Sequence, residues 1–279
     1  MRKHLSYRNY SNYTVTNYVK EIKQLCCYFQ TSPTNISEIQ LENYLYYLSI
    51  VKQFGPDKLN LSIASFTYYY YNIVRTPEKV KHLRSARIPS RVPFVLAPKQ
   101  VFQFIESFSN FRDKVIIQLL YSTGIRVGEC VNLKRQHINV ERMTIRIENG
   151  KGKKDRYVPL SPLMLEQLEL YFKKYQPDNF LFEGRQKGKP LCRATVNRII
   201  RNAKHVLETK EVITPHTFRH SFATTLIEEG ESLFIIQKIL GHKSFHSTLR
   251  YLKAAKTDLK SCVNPLDKMY SDKHAEMAS

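Results

Sequence analysis

The stretch TPHTFRHSFATTLIEEG, Thr214–Gly230, carries signals for both ends of a helix. Thr214 is a favourable N-cap residue, Pro215 suits the first helical position, and Gly230 is placed to end the helix. At about 100° per residue, one face is apolar and predicts contact with a core. That face consists of Phe218, Phe222 and Leu226. The stretch therefore predicts one amphipathic helix in a packed domain.

The other side of this helix is basic. His216, Arg219 and His220 fall there, near the positive end of the helix dipole, where anions are favoured. The two histidines have the spacing of zinc ligands, but the glutamate of an HExxH site is absent and Arg219 would add positive charge beside the metal. A guanidinium among imidazoles suits a phosphate, because it holds two oxygens while imidazole transfers a proton. A solvated basic helix end has the same residues, so both interpretations stay open.

Composition narrows the class of protein. The chain has 279 residues, 42% of them apolar, enough for one large domain or two ordinary ones. Its formal net charge of +20 favours polyanionic partners, most commonly nucleic acid. The charge alone does not identify the polyanion, because RNA or a membrane surface would attract the chain in the same way. No run of 18 apolar residues and no signal-peptide core occur, which predicts a soluble chain not exported by that route. Five cysteines without a CxxC pair indicate free thiols in a reducing cytosol.

Proline and charge predict where the chain divides. Between Arg75 and Lys99 there are seven Lys or Arg against one acid, with prolines at 77, 89, 93 and 98, typical of an extended basic linker. We predict a helical domain over 1–86, a linker over 87–97 and a second domain over 98–279. The first domain has helical periodicity and many tyrosines, which either pack amphipathically or stack on bases.

The second domain mixes helices with one hairpin. Helical patterns cover Lys99–Ser107 and Arg112–Ser122 and resume after Leu163. Between them, the alternating MTIRIE (Met143–Glu148), a polar turn and RYVPLS predict a β-hairpin. The predicted fold class is mostly α with a small antiparallel β-sheet: an all-helical N-terminal domain and a mixed α+β domain, joined by the basic linker.

Two further clusters lie before the opening helix. In YSTGIRVGE, Gly124 breaks a helix, Arg126 lies in the first turn of the next, and Glu129 shares its face and can orient the guanidinium. In NGKGKKDR, Lys151 lies between glycines at the hairpin tip, on an arm that can enter a groove. A surface ion pair and a solvated charged turn are the plain alternatives.

A fourth cluster, LGHKSFHSTLRYL, follows the opening helix. Phe245, Leu249 and Leu252 share an apolar stripe on a predicted helix, and Tyr251 points about 120° away from it. This predicts an exposed tyrosine shortly after His242. Together the four clusters supply two arginines, a lysine, histidines and a tyrosine but no clustered carboxylates, which suits phosphoryl transfer without metal.

Six of these residues resemble the active site of the tyrosine recombinases, the phage-integrase family. They are Arg126 in TGIRVGE, Lys151 in GKGKKDR, His216 and Arg219 in HTFRH, His242 in LGH, and Tyr251 nine residues later. Their order and spacings match, and the helical first domain resembles the family's core-binding domain. The layout is similar to the short Xer-type and transposon-borne enzymes. Two positions depart: Phe218 stands where leucine is commoner, and no histidine follows Tyr251 by two residues.

The resemblance implies a role for each residue. Tyr251 would attack the scissile phosphate, giving a 3′-phosphotyrosine link and a free 5′-hydroxyl. Arg126 and Arg219 would clamp that phosphate. Lys151 would be the general acid for the 5′ oxygen, and His242 would hydrogen-bond the phosphate.

Three further residues are implied in support of these groups. His216 would be the acid–base partner of the tyrosine, Glu129 would orient its arginine, and His220 would pack or assist indirectly. Because the phosphodiester energy stays in the covalent link, no ATP, metal or other cofactor is expected.

The resemblance also implies partners and a place of action. These are double-stranded DNA with paired recombination sites, a homotetramer working through a Holliday junction, and a tail, Lys253–Ser279, docked on a neighbouring subunit. We expect a cytoplasmic, nucleoid-associated protein without a membrane partner, serving integration, excision or resolution of DNA elements. The candidate DNA contacts are Arg84, Arg87, Arg91, Lys153 and Lys154. The alternatives are relaxation of DNA like that of type IB topoisomerases, or a DNA-binding regulator without catalysis.

Overall fold

The computed structural model describes residues 1–89, 92–148, 155–207, 209–242 and 244–255. The chain divides into two compact units, Met1–Arg91 and Val92–Ser279. This division falls inside the segment 87–97, and the three predicted boundaries themselves stay a prediction. Among the described helices, none is both long and apolar enough to cross a bilayer.

The first unit is built from helices. Its α-helices are α1 (Arg2–Tyr7), α2 (Asn12–Phe29), α3 (Glu38–Tyr46) and α4 (Pro56–Tyr69). α3 and α4 continue as π-helical turns over Tyr47–Val51 and Tyr70–Val74. Tyr44, Tyr68 and Tyr70 are buried, so these tyrosines are packing residues. Others, including Tyr7, Tyr13 and Tyr46, are exposed.

The end of the first unit is held by a side chain of α4. The Asn60 amide donates to the Ala86 carbonyl at 3.0 Å and accepts from the Ala86 N–H at 2.7 Å. Arg84 and Arg87, two candidate DNA contacts, flank this anchor and are exposed. They therefore project from an anchored backbone. The other three candidates, Arg91, Lys153 and Lys154, lie outside the described residues.

The second unit surrounds one buried helix. Its helices are α5 (Pro98–Glu106), α6 (Phe111–Thr123), α7 (Val127–Val131), α8 (Pro162–Tyr175), α9 (Arg193–Ala203), α10 (Pro215–Glu228), α11 (Leu233–Leu240) and α12 (His246–Leu249). α6 has apolar residues all around its circumference and lies in the core, in contact with α8 and α10. Leu96 also belongs to this core, and its N–H donates to the Ser221 hydroxyl at 2.8 Å. The end of the predicted linker is therefore packed, because an apolar side chain is buried there.

A three-stranded antiparallel sheet completes the second unit. Its strands are β1 (Ile138–Asn139), β2 (Thr144–Ile147) and β3 (Arg156–Pro159), in the order β1-β2-β3. The predicted hairpin is β2–β3, with Ile145 opposite Val158 and both facing the core. β1 was not predicted, because two residues are too few for a period of two to be seen. The predicted fold class, mostly α with a small antiparallel sheet, is confirmed.

Among the glycines that the structure describes, Gly124 combines a positive φ with the closest approach of a neighbouring side chain, Phe222. Its φ is +61°, and an added Cβ would lie 2.8 Å from Cε1 of Phe222. We expect Gly124→Ala to lower the free energy of unfolding by about 2 kcal/mol more than Gly188→Ala does. Gly188 also has a positive φ, +73°, but an added Cβ there faces open space. The loss in Gly188→Ala therefore measures the cost of backbone strain alone. Denaturant unfolding of both variants measures the difference, and equal losses would contradict the packing argument.

Candidate active site

Arg126 is held where α6 gives way to α7. Gly124 ends α6 in the left-handed conformation, and Arg126 is the N-cap residue of α7. The carboxylate of Glu129 accepts the Arg126 backbone N–H at 2.8 Å and its Nη1 at 2.9 Å. The contact expected from their spacing is present. It fixes the guanidinium of Arg126 relative to the start of α7.

The same carboxylate binds a second arginine, which no sequence motif marked. Arg156, the first residue of β3, donates Nη1 and Nη2 to Glu129 at 2.9 and 2.8 Å, and Nε to the Ile239 carbonyl at 2.7 Å. Burial favours protonation of Glu129, but hydrogen bonds and charge from Arg156, then Arg126, lower its pKa to about 2. In sequence, Arg156 looks like one more charge of a basic run, and only its position as the first residue of an alternating strand could have marked it.

Arg219 is buried, with 3% of its surface exposed. Its Nη1 donates to the Gly124 carbonyl at 2.6 Å and its Nη2 to the Leu240 carbonyl at 2.7 Å. The alternative of a solvated basic helix end is therefore wrong for this residue: the long side chain reaches carbonyls at the ends of α6 and α11. Burial, reinforced by the charge of Arg126, lowers the pKa of Arg219 to about 10, so it stays charged at neutral pH.

His242 follows Gly241, which ends α11 with a φ of +65°. Its Nε2 lies 3.1 Å from Nη2 of Arg219, and its Nδ1 lies 2.9 Å from the Thr248 hydroxyl. A guanidinium can only donate, so Nε2 accepts and the neutral ring carries its proton on Nδ1, where it donates to Thr248. Thr248 is fully buried and was not predicted as part of the site. Threonine near a helix end gives no distinctive sequence signal.

Tyr251 is buried, with 2% of its surface exposed, and the expectation of an exposed tyrosine was wrong. It packs in a cluster completed by Phe222, Ala223, Ile236 and Leu240. The residues predicted as an apolar stripe include Phe245 and Leu252, which are 43% and 40% exposed. The reason is that α12 ends at Leu249, so the helical angle does not extend to Tyr251, which lies in the following turn.

The Tyr251 hydroxyl lies 3.3 Å from Nδ1 of His220. The ring of His242 is nearly parallel to that of Tyr251, at 17° and 6.0 Å between centroids. His216, the implied acid–base partner, lies one ring further away, 6.2 Å from His220 between centroids. The structure thus brings His220 to the tyrosine oxygen, although its sequence position suggested only packing or indirect support.

Burial and neighbouring arginines set the protonation of these groups. Burial raises the pKa of Tyr251, and the charges of Arg219 and Arg250 offset part of the rise. Burial, then the charges of His216, Arg250 and Arg219, lowers the pKa of His220 to about 4. The pKa of His216 is also lowered, by desolvation and then by Arg219. At neutral pH the hydroxyl is therefore protonated beside a neutral imidazole that can accept its proton.

Five of the six residues taken from the sequence lie in the described part of this unit, and Lys151 lies outside it. Arg219 contacts His242 and His220 contacts Tyr251, while His216 is at the exposed edge. Within the described ranges, no group of three or more His, Cys, Asp or Glu side chains could hold a metal ion. The arrangement offers cationic donors for an anion next to a tyrosine hydroxyl and a neutral base.

The depressed pKa of His220 predicts a pH-dependent stability. An unfolded histidine takes up a proton near pH 6.5, whereas folded His220 does so near pH 4. Between these values the unfolded state binds more protons, so the free energy of unfolding falls as pH falls from 6.5 towards 4. Because the ring is partly exposed, we expect this contribution to be about 1–2 kcal/mol.

Urea unfolding at pH 7 and at pH 4.5 measures how much the free energy of unfolding changes between the two pH values. His220→Gln should show a smaller change than wild type, and the difference is the contribution of His220. His246→Gln, at an exposed histidine, is the matched control. Parallel pH dependence of wild type and His220→Gln would contradict the assignment.

Comparisons with known proteins identify the family. The phage integrase family matches residues 95–258, and the phage integrase N-terminal SAM-like domain matches residues 1–79. A tyrosine recombinase of Pseudothermotoga lettingae is 32% identical, covering 93% of each chain. The tyrosine recombinase XerA of Pyrococcus furiosus is 37% identical, over 76% of this chain and 75% of its own length.

A solved structure supports the same assignment. The XerH site-specific recombinase bound to its difH substrate, before cleavage, is 25% identical, with a TM-score of 0.68 over 95% of this chain and 80% of that one. The family match covers more than half of the chain, and the relatives align along most of both proteins. The chain therefore belongs to the phage integrase family and is a tyrosine-type site-specific DNA recombinase.

Proposed function

We propose that the chain cuts and rejoins double-stranded DNA at paired sites through a 3′-phosphotyrosine link formed by Tyr251, without metal or ATP. The observation that carries this proposal is the cluster in which Arg219 contacts His242 and His220 contacts the Tyr251 hydroxyl. A tyrosine is a poor nucleophile at its ordinary pKa of about 10 and needs help from a base and a clamped phosphate. This cluster supplies groups for both tasks.

The scissile phosphate binds between Arg126 and Arg219. Both guanidiniums are fixed by protein partners, Arg126 by Glu129 and Arg219 by two backbone carbonyls. Preorganised cations stabilise charge on the equatorial oxygens without reorganisation during the reaction. His242 adds a hydrogen bond to the phosphate once its Nε2, which accepts from Arg219 in the DNA-free protein, takes up a proton and turns to the bound anion.

The chemical step exchanges one phosphodiester bond for another. The Tyr251 oxygen forms a bond to phosphorus, the bond from phosphorus to the 5′ oxygen breaks, and Lys151 gives that oxygen its proton. The tyrosine proton passes to the neighbouring imidazoles, first to His220 Nδ1, which lies at 3.3 Å, with His216 as the next ring. Reversal with a 5′-hydroxyl from another strand rejoins the DNA.

Exchange between two sites requires more than one active site. We propose a homotetramer that passes through a Holliday junction, with the tail Lys253–Ser279 contacting a neighbouring subunit. Integration, excision or resolution of DNA elements are the processes that such an exchange serves. The basic linker and the exposed Arg84 and Arg87 add contacts to the DNA backbone.

Tyr251→Phe tests the nucleophile. With DNA from around the gene, as supercoiled plasmid and as nicked fragments, wild type should form a covalent protein–DNA adduct in EDTA, because the reaction needs no metal. The variant should form no adduct and should bind DNA with unchanged affinity. Denaturing gel electrophoresis detects the adduct, and a filter-binding assay measures affinity. An adduct in Tyr251→Phe would identify a different nucleophile, and adducts that need divalent metal would refute the mechanism.

Lys151→Ala tests the general acid. We expect loss of at least about 10²-fold in the cleavage rate of an ordinary substrate, because the 5′ alkoxide then leaves without a proton. A 5′-phosphorothiolate substrate should restore cleavage, because a thiolate needs no proton to leave. Cleavage rates of both substrates by both proteins decide the question. A variant equally slow on the phosphorothiolate would assign Lys151 another role.

A further inference from the structure

Three segments that carry the proposed catalytic residues meet at Arg156. α7 begins after Arg126, α11 leads into His242, and β3 begins at Arg156, five residues after Lys151 in the sequence. The Arg156 guanidinium contacts the first of these through Glu129 and the second through the Ile239 carbonyl. It belongs to the third by its own backbone. Arg156 is not one of the six positions that resemble the family's active site, so the resemblance gives it no role in recombination.

The fit around Arg156 is close. Its side chain is 9% exposed, and both terminal nitrogens engage the two oxygens of Glu129. Its aliphatic part lies against Gly241, where an added Cβ would be 2.8 Å from Cδ of Arg156. A bidentate guanidinium–carboxylate pair with a third hydrogen bond has one orientation, which lysine cannot reproduce.

The charges of Arg126, Glu129 and Arg156 determine how the loss of Arg156 would affect Arg126. Glu129 has one negative charge and is shared by two arginines, so the trio of Arg126, Glu129 and Arg156 carries a net charge of about +1. Without Arg156, the buried carboxylate would pair with Arg126 alone. That pair would be neutral, and its attraction for a phosphate would largely cancel.

We propose that Arg156 is a positioning residue for recombination: by sharing both oxygens of the Glu129 carboxylate with Arg126, it leaves the charge of Arg126 available to the scissile phosphate, and through Ile239 it aligns the segment that carries His242. This inference rests on the proposed function, because it concerns the same strand-cleavage step. It assigns Arg156 no contact with DNA.

The test compares rates of covalent adduct formation by the full-length protein on one nicked substrate. Arg156→Met should lower the rate about 10²-fold with DNA affinity within about threefold of wild type, since the loss is in transition-state stabilisation. Adding Glu129→Gln to Arg156→Met should restore the rate about tenfold, because it removes the charge that would otherwise neutralise Arg126. Arg112→Met is the control: this arginine also pairs with a neighbouring carboxylate, Asp113, but at the other end of α6. It should leave the rate unchanged.

The partial recovery separates positioning from plain structural support. A purely structural Arg156 predicts that the double variant is as slow as Arg156→Met or slower, since a second partner is lost from a buried network, and that result would overturn the inference. Arg156→Lys guards against a folding defect in the Met variant. It keeps the charge beside Glu129, so its rate should exceed that of Arg156→Met. A Lys variant no faster than the Met variant, with thermal melting like that of wild type, would also overturn the inference.

The same rates distinguish failure of the proposed function from failure of the role of Arg156. If wild type forms no adduct, the proposed function fails and this inference fails with it. If wild type forms the adduct and Arg156→Met stays within about threefold of its rate, only the role of Arg156 is refuted.

Discussion

Arg219 is a buried positive charge, and the way in which it is satisfied connects the elements of the second unit. The last carbonyls of a helix have no partner within that helix and carry partial negative charge. Arg219 on α10 donates to two such carbonyls, those of Gly124 after α6 and Leu240 in α11. A buried guanidinium without acceptors would cost several kcal/mol, so this packing requires both helix ends at these positions. Because α6 leads to Arg126 and α11 to His242, one interaction assembles the segments of the site.

Around this arginine, the groups that carry positive charge and the groups that can accept a proton are different residues. The guanidinium of Arg219 stays positive, with a pKa of about 10, whereas burial, together with the charges of neighbouring groups, lowers the pKa of His220 to about 4 and keeps it neutral. A phosphate bound as we propose would meet fixed positive charge, and the Tyr251 hydroxyl meets an uncharged acceptor at 3.3 Å. Glu129 is buried between two arginines with its pKa near 2, so it orients them and adds no titration near neutral pH. These features suit a reaction in which charge develops on a bound phosphate.

Local patterns predicted much of this arrangement, and they failed where a pattern was too short. The ends of α10 follow from Thr214 and Gly230, because capping residues act over a few neighbouring positions. The β2–β3 hairpin follows from strict alternation. The burial of the Tyr251 side chain could not be predicted from helical periodicity, because α12 ends at Leu249 and the angle of about 100° per residue does not apply beyond a helix end. Arg156 was missed because it stands in a run of basic residues, and its partners lie on other elements.

By itself, the sequence determined the kinds of chemical groups, their order and spacing, the helical and strand segments, and the family to which the chain belongs. These properties depend on residue identity and on neighbours along the chain. Only the tertiary structure decided which groups touch: that His220 meets the tyrosine oxygen, that Arg219 is buried, and that Arg156 shares the carboxylate of Glu129. Such contacts join residues far apart in sequence, and they form because buried charges and hydroxyls must find partners wherever the packing of helices brings them.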